Sequence, residues 1–266
     1  MICVLGDAHL DVIVAISGPV APDTDTPAEA RVTVGGQAAN VAAWVCALGG
    51  RSRLIAGLAD DAAARLVAGE LAARGVELVG TVVAGHTGVV VSLSARGSDR
   101  SMLTDRGVGP LLTEKDIDPD WLDDCSWLHL PAYSLTSEPV QAAAMAAVAA
   151  ARSRSVRLSI DLSSTAAITG YGPPAFAGLL RGLKPDLVFG NEAETDLIGD
   201  LPETQVITKL GPGGVVVAGE HYPAAATEPT DATGAGDAFA AGYLVGGVDL
   251  GLRAAARAVA TMGAMP

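Results

Sequence analysis

Basic residues are scarce in this chain. Its 266 residues hold 17 Lys and Arg against 30 Asp and Glu, a formal charge of −13. Nucleic-acid binding rests on clustered cations that neutralise phosphates, so no nucleic-acid partner is expected. Cysteine is almost missing: Cys3, Cys46 and Cys125 are odd in number, widely spaced and without a C-x-x-C pair. They fit neither a disulfide framework nor a zinc site, and read as small core side chains of a reduced, cytoplasmic protein. Long apolar runs are absent too. Half the residues (50%) are hydrophobic, yet no window reaches the ~18 consecutive apolar residues of a membrane span. No basic segment leads into an apolar stretch at the N-terminus, so neither a leader nor a membrane partner is expected. The G-x-x-x-x-G-K-[ST] signature is missing, which excludes P-loop nucleotide chemistry. His9, His86, His129 and His221 lack metal-ligand spacing and read as surface or core histidines. With aromatics at 4%, Trp44, Trp121 and Trp127 read as packing.

Glycine, at 32 residues, is the abundant exception, set among short packets of Val, Ile, Leu and Ala. Packets such as ICVLG (2–6), RLIAGL (53–58), SWLHL (126–130), RLSID (157–161), DLVFG (186–190) and QVITK (205–209) are continuous rather than alternating. That is the pattern of strands buried on both faces. Between them lie Ala-rich amphipathic stretches of helical length at 38–48, 60–74, 137–151, 175–182 and 237–260. The alternation predicts an α/β fold, one domain over 1–266, with a mostly parallel sheet covered on both faces. Residues 10–34 and 86–106 read as extended strands with little helix, the second a hairpin around Arg96-Gly97-Ser98-Asp99. They are expected to form a small β-lid over the ligand edge of the sheet.

Five polar motifs punctuate this frame. In Asp231-Ala232-Thr233-Gly234-Ala235-Gly236-Asp237, the glycines allow a tight turn whose N–H groups converge at the start of an apolar helix. Such a turn is an anion hole. The local field stabilises an ionised Asp237, and a carboxylate within reach of an alcohol can accept its proton. Gly35-Gly36-Gln37-Ala38-Ala39-Asn40 follows an extended RVTV and opens a helix, with Gln37 and Asn40 offering amides that suit polyols. Gly6-Asp7-x-x-x-Asp11 puts two carboxylates at the end of the first strand, where α/β folds bind ligands. Asn191-Glu192-Ala193-Glu194 supplies hard oxygen donors of the kind Mg²⁺ takes, often through water. Thr208-Lys209-Leu210-Gly211-Pro212-Gly213-Gly214 is a Gly-rich turn carrying a cation. Each motif alone also fits an ordinary turn or helix start; their order carries the weight.

Taken in chain order, from Gly6-Asp7 through Gly35-Gly36, Asn191 and Thr208-Lys209 to Asp231–Asp237, these motifs resemble the ribokinase-like, PfkB-type family of carbohydrate kinases. The resemblance implies a three-layer α/β/α sandwich with a β-lid, and transfer of the γ-phosphoryl group of ATP to a hydroxyl of a small sugar or sugar acid. It implies that Asp237 is the base and that Gly234, Ala235 and Gly236 form the anion hole. Asp7, Asp11, Gly35, Gly36, Gln37 and Asn40 would contact sugar. Asn191, Thr208, Lys209, Gly211 and Gly214 would hold nucleotide, and Glu194 would organise Mg²⁺ through water. A K⁺ site beside Asp231 and a homodimer through the lid strands are further implications. Arg106, after the second lid strand, falls where relatives acting on acidic sugars carry an Arg, and its fork suits a carboxylate; the plainer reading pairs it with Asp99 or Asp105. The chain departs from the family pattern at Ala232, where a Thr is usual, at Lys209, where a Thr usually precedes Leu-Gly, and in a late helix that lacks an Asn near the adenine. A nucleoside kinase and a non-catalytic homologue are the alternatives.

Overall fold

The computed structural model describes residues 1–95 and 101–266. The expected turn at Arg96 to Asp99 lies outside them. Strand β1 (Ile2–Leu5) is followed by β2 (His9–Ile16), β3 (Ala28–Gly35), helix α1 (Gln37–Ala47), β4 (Ser52–Ile55), α2 (Ala62–Ala73), β5 (Glu77–Val79), β6 (Thr87–Ala95) and β7 (Ser101–Gly107). Then come β8 (Trp127–Pro131), α3 (Val140–Ser153), β9 (Arg157–Asp161), α4 (Thr165–Tyr171), α5 (Pro173–Leu183), β10 (Leu187–Asn191) and α6 (Glu192–Ile198). Strands β11 (Gln205–Lys209), β12 (Val215–Val217) and β13 (Glu220–Tyr222) precede α7 (Ala235–Gly246) and α8 (Val248–Val259).

Nine strands form the main sheet in the order β13-β12-β11-β10-β9-β8-β1-β4-β5. All neighbours run parallel from β5 to β11, and β12 and β13 close the edge antiparallel. The continuous apolar packets follow from burial on both faces. In β1, Ile2 and Val4 enter a core shared with α1, α2, α7 and α8, while Cys3 and Leu5 enter a second core under α3, α4 and α5. That two-residue alternation, with helices over each face, is the three-layer sandwich.

A second sheet, in the order β3-β2-β6-β7, stands at the carboxyl edge of the first. It pairs β2 parallel to β6, with β3 and β7 antiparallel on the flanks. Only three residues separate β1 from β2, so the chain turns directly from the end of the main sheet into this one. Two details depart from the sequence reading. The 237–260 stretch is two helices, because Gly247 takes a left-handed φ of 82° and breaks the run. Short helices α4 and α6 also lie where only loops or a helix start were expected. No helix among the described residues is long and apolar enough to cross a membrane.

Candidate active site

The carboxyl ends of β1, β9, β10 and β11 and the amino ends of α1 and α7 open onto one cavity of about 1020 Å³, walled on one side by the small sheet. Parallel strands place their carboxyl ends on one edge, and the helices that follow begin there, so carboxylates and free helix N–H groups meet at that edge.

At its floor, Gly234 caps α7 with φ 74°, and a Cβ there would lie 2.7 Å from the Ala264 backbone. Only glycine makes this turn. Asp231 braces it from behind: its carboxylate accepts from the Thr233 N–H at 2.9 Å, the Thr233 hydroxyl at 2.5 Å and the Gly263 N–H at 3.0 Å. Asp237, in the first turn of α7, accepts from Asn40 Nδ2 at 2.8 Å across the start of α1. Although part of its surface faces the cleft, surrounding protein pushes its carboxyl up to about 7. Burial is the largest cause, opposed by the Asn40 hydrogen bond; Asp161 adds to the rise, and Lys209 and Gln37 work against it. The helix field alone suggested an acid held below its ordinary range; burial outweighs it. Asn40 Oδ1 and Gln37 Oε1 are buried at the same place without a hydrogen-bond partner, and both residues line the cavity. Unmet buried acceptors of this kind fit a hydroxyl-bearing ligand.

Lys209 leaves the end of β11 and donates to Asp161 Oδ2 at 2.8 Å. Burial works against its charge, but Asp161, with Glu194 and Asp237 nearby, more than compensates and raises its pKa. Its Nζ is 3.2 Å from the point a Cβ on Gly236 would occupy, so the ammonium rests against the first turn of α7. Asn191 and Glu194 form a reciprocal cap on α6: the Asn191 side chain accepts from the Glu194 N–H and Glu194 accepts from the Asn191 N–H, both at 2.9 Å. Glu194 is buried and its pKa is raised, chiefly by that burial. Its carboxylate stands on the cavity wall, an oxygen donor fit for a hard cation.

At the other end, Gly36 (φ 104°) lets the chain pass so close to the turn between β1 and β2 that a Cβ would meet the Asp7 carbonyl at 2.3 Å. Arg106 does not pair with Asp105, which takes His86 instead at 2.8 Å. It grips Asp7 with its fork, Nε to Oδ2 at 2.8 Å and Nη2 to Oδ1 at 3.0 Å, and lies 5.4 Å from the Tyr133 ring centroid. This pair ties the small sheet to the main one. His9 Nδ1 lies 3.0 Å from Asp11 Oδ1, an ion-pair distance without hydrogen-bond geometry. A Cβ on Gly35 would fall 2.2 Å from Asp11 Oδ2, so that glycine makes room for the carboxylate.

Of the residues singled out from sequence, Asp7, Asp11, Gly36, Gln37, Asn40, Arg106, Asn191, Glu194, Lys209, Gly211, Gly214, Ala235, Gly236 and Asp237 line the cavity. Gly35, Gly234 and Asp231 stand behind its wall as supports. Thr208, one residue before Lys209 on β11, pairs with Val216 and does not line it, because successive strand residues point to opposite faces. Sequence reasoning missed Asp161, Tyr133 and His9. The signal available for Asp161 was its position as the last residue of a buried strand, RLSID.

A family model described as pfkB family carbohydrate kinase matches residues 1–265. The chain is 30% identical to the ATP-dependent ribose-1-phosphate kinase of Halopiger xanaduensis, over 92% of this chain and 84% of that protein. It is 29% identical to the fructokinase of Escherichia coli, over 94% and 85% respectively. Its fold is similar to that of ribokinase from Thermotoga maritima, with a TM-score of 0.75 at 22% identity, over 100% of this chain and 95% of that one.

Proposed function

Since the chain belongs to the pfkB family of carbohydrate kinases, we propose that it moves the γ-phosphoryl group of ATP to a hydroxyl of a small neutral sugar, with Asp237 taking the hydroxyl proton. One observation carries this reading: a carboxylate with a pKa near neutrality sits in the first turn of α7, beside a Gly-bounded N–H turn and the Lys209 ammonium, on the floor of one cavity. A base whose pKa is close to the working pH is both available and strong enough to take a proton. Asn40 orients that carboxylate toward the sugar end, and the unmet acceptors of Asn40 and Gln37 receive sugar hydroxyls.

Phosphoryl transfer asks the protein mainly for position and charge complementarity. As the sugar oxygen bonds to the γ-phosphorus and the bond to ADP breaks, Asp237 gains the proton and ADP leaves with the bonding electrons. The Gly236 N–H and the Lys209 ammonium face the charge on the moving group, while the Ala235 N–H donates to the Ala232 carbonyl at 3.3 Å and closes the turn. Asn191, Gly211 and Gly214 line the nucleotide arm. Glu194 would hold Mg²⁺ through water, and Mg²⁺ when bound neutralises phosphate charge. The small sheet acts as a lid that keeps out water, the competing acceptor.

For the sugar, Arg106 is the deciding residue. Its fork is already taken by Asp7, so a carboxylate ligand would have to displace a bidentate partner; a neutral polyol does not. A second reading has one observation in its favour: Arg106 and His9 both face the sugar end, where an anionic substituent, as in the substrate of the ribose-1-phosphate kinase, would find them. ADP release measured over neutral sugars, sugar acids, sugar phosphates and nucleosides separates these readings. Turnover is expected with neutral sugars; faster turnover with a sugar phosphate would favour the second, and with nucleosides alone would overturn both. A K⁺ ion beside Asp231 is checked by turnover in K⁺ against Na⁺. A homodimer through the lid strands would cover Val32 and Leu103, each 57% exposed, and is checked by sedimentation.

A further inference from the structure

Asp161 belongs to none of the sequence motifs, yet on the cavity wall it is more deeply buried than Glu194, at 1% exposure against 5%. Both of its carboxylate oxygens are committed. Oδ2 accepts from Lys209 Nζ at 2.8 Å, and Oδ1 accepts from the Ser163 N–H at 2.9 Å. Ser163 is itself fixed: its hydroxyl donates to the Asp161 carbonyl at 3.0 Å and accepts from the Ala132 N–H at 2.9 Å. The carboxylate is therefore the rigid partner. Lys209, a point charge on a flexible four-carbon stem, goes where the carboxylate holds it.

A buried ion pair is a poor stabiliser, since lost hydration offsets the attraction and an apolar pair of similar size packs as well. This pair calls for another reason, and its location supplies one. The ammonium sits 3.2 Å from where a Cβ on Gly236 would be, against helix N–H groups that have no partner within α7. Among the described residues lining the cavity, Arg106 and Lys209 are the two Lys or Arg cations, and Arg106 is engaged at the sugar end.

We propose that Asp161 is a positioning residue for phosphoryl transfer, anchoring the Lys209 ammonium beside the first turn of α7 so that cation and helix N–H groups meet the moving phosphoryl together. The proposal rests on the kinase reading above. It separates binding from rate. Attraction between Lys209 and a polyphosphate does not need a fixed ammonium, and removing the Asp161 charge takes away a repulsion. Chemistry does need the fixed position, and a misplaced group loses about 10²-fold in rate.

The test is a double-mutant cycle in the full chain: native protein, Asp161→Asn, Lys209→Met and the double variant. Each is assayed for kcat and for KM of MgATP with the sugar found in the panel, and each is melted to verify folding. Asp161→Asn should lower kcat by about 10- to 100-fold while KM for MgATP stays within about threefold or falls. On the Lys209→Met background it should cost less than about threefold, because the two residues act as one unit. Asp161→Glu keeps the carboxylate and should recover part of the loss; it also stands in if the Asn variant does not fold. Losses that multiply independently, or a KM rise matching the loss in kcat, would overturn the proposal. Native turnover with unchanged kcat in Asp161→Asn would overturn it alone. A native chain inert with MgATP and every sugar would overturn the kinase reading and the proposal with it.

Discussion

Replacing Asp237 by Asn should stabilise the fold, and by more as pH rises. The carboxyl is lifted from 3.8 to about 7, burial being the largest cause. A raised folded-state pKa means that the fold favours the neutral acid. Its contribution to stability is fully present below pH 3.8, declines through the window and is lost as pH passes about 7. Inside the window each pH unit costs up to about 1.4 kcal/mol, and less near its ends, so the native chain loses roughly 2 kcal/mol between pH 5 and 7 from this group. An amide cannot ionise and escapes that loss, and its oxygen can still accept from Asn40. At roughly 2–4 °C per kcal/mol for a chain of this size, the Tm advantage of Asp237→Asn should widen by roughly 4–8 °C over that range. Thermal melts of nucleotide-free native and variant protein, at fixed ionic strength across pH 5 to 8, measure it. A constant offset, or one that shrinks with rising pH, would refute the burial argument.

The same carboxyl should govern the rate: kcat/KM should fall about tenfold per unit below pH 7, and a pH–rate profile with an acid limb near 4 would remove Asp237 as the titrating base. Gly234→Ala puts a Cβ 2.7 Å from the Ala264 backbone at a φ of 74°, so it should cost at least about 2 kcal/mol and most of kcat; a native-like melt and rate would show that the turn is not constrained. Arg106→Lys loses the fork on Asp7 and should raise sugar KM about tenfold with MgATP KM unchanged, and steady-state kinetics showing no change would detach Arg106 from the sugar end.

The motifs were readable in the chain because each is local. Gly35-Gly36 before Gln37, and Gly234 to Gly236 before Asp237, announce a strand or loop entering a helix, and such junctions of a parallel sheet gather at one edge. What was not readable depends on partners far along the chain. Asp161 ends an ordinary buried strand, and its meaning comes from Lys209, 48 residues away. Arg106 finds Asp7 across 99 residues, where local charge suggested Asp105, or Asp99, which lies outside the described residues. The direction of the Asp237 shift could not be had from its helix position, because desolvation by the folded cleft reverses the local field. Thr208 looked equivalent to Lys209 until strand alternation put the two on opposite faces.

The most direct measurement of the central claim is turnover by Asp237→Asn. With the sugar found in the panel, ADP release should fall by about 10²- to 10⁴-fold in kcat, while calorimetry shows MgATP bound with nearly native affinity. Undiminished turnover by that variant would contradict the assignment of Asp237 as the proton acceptor.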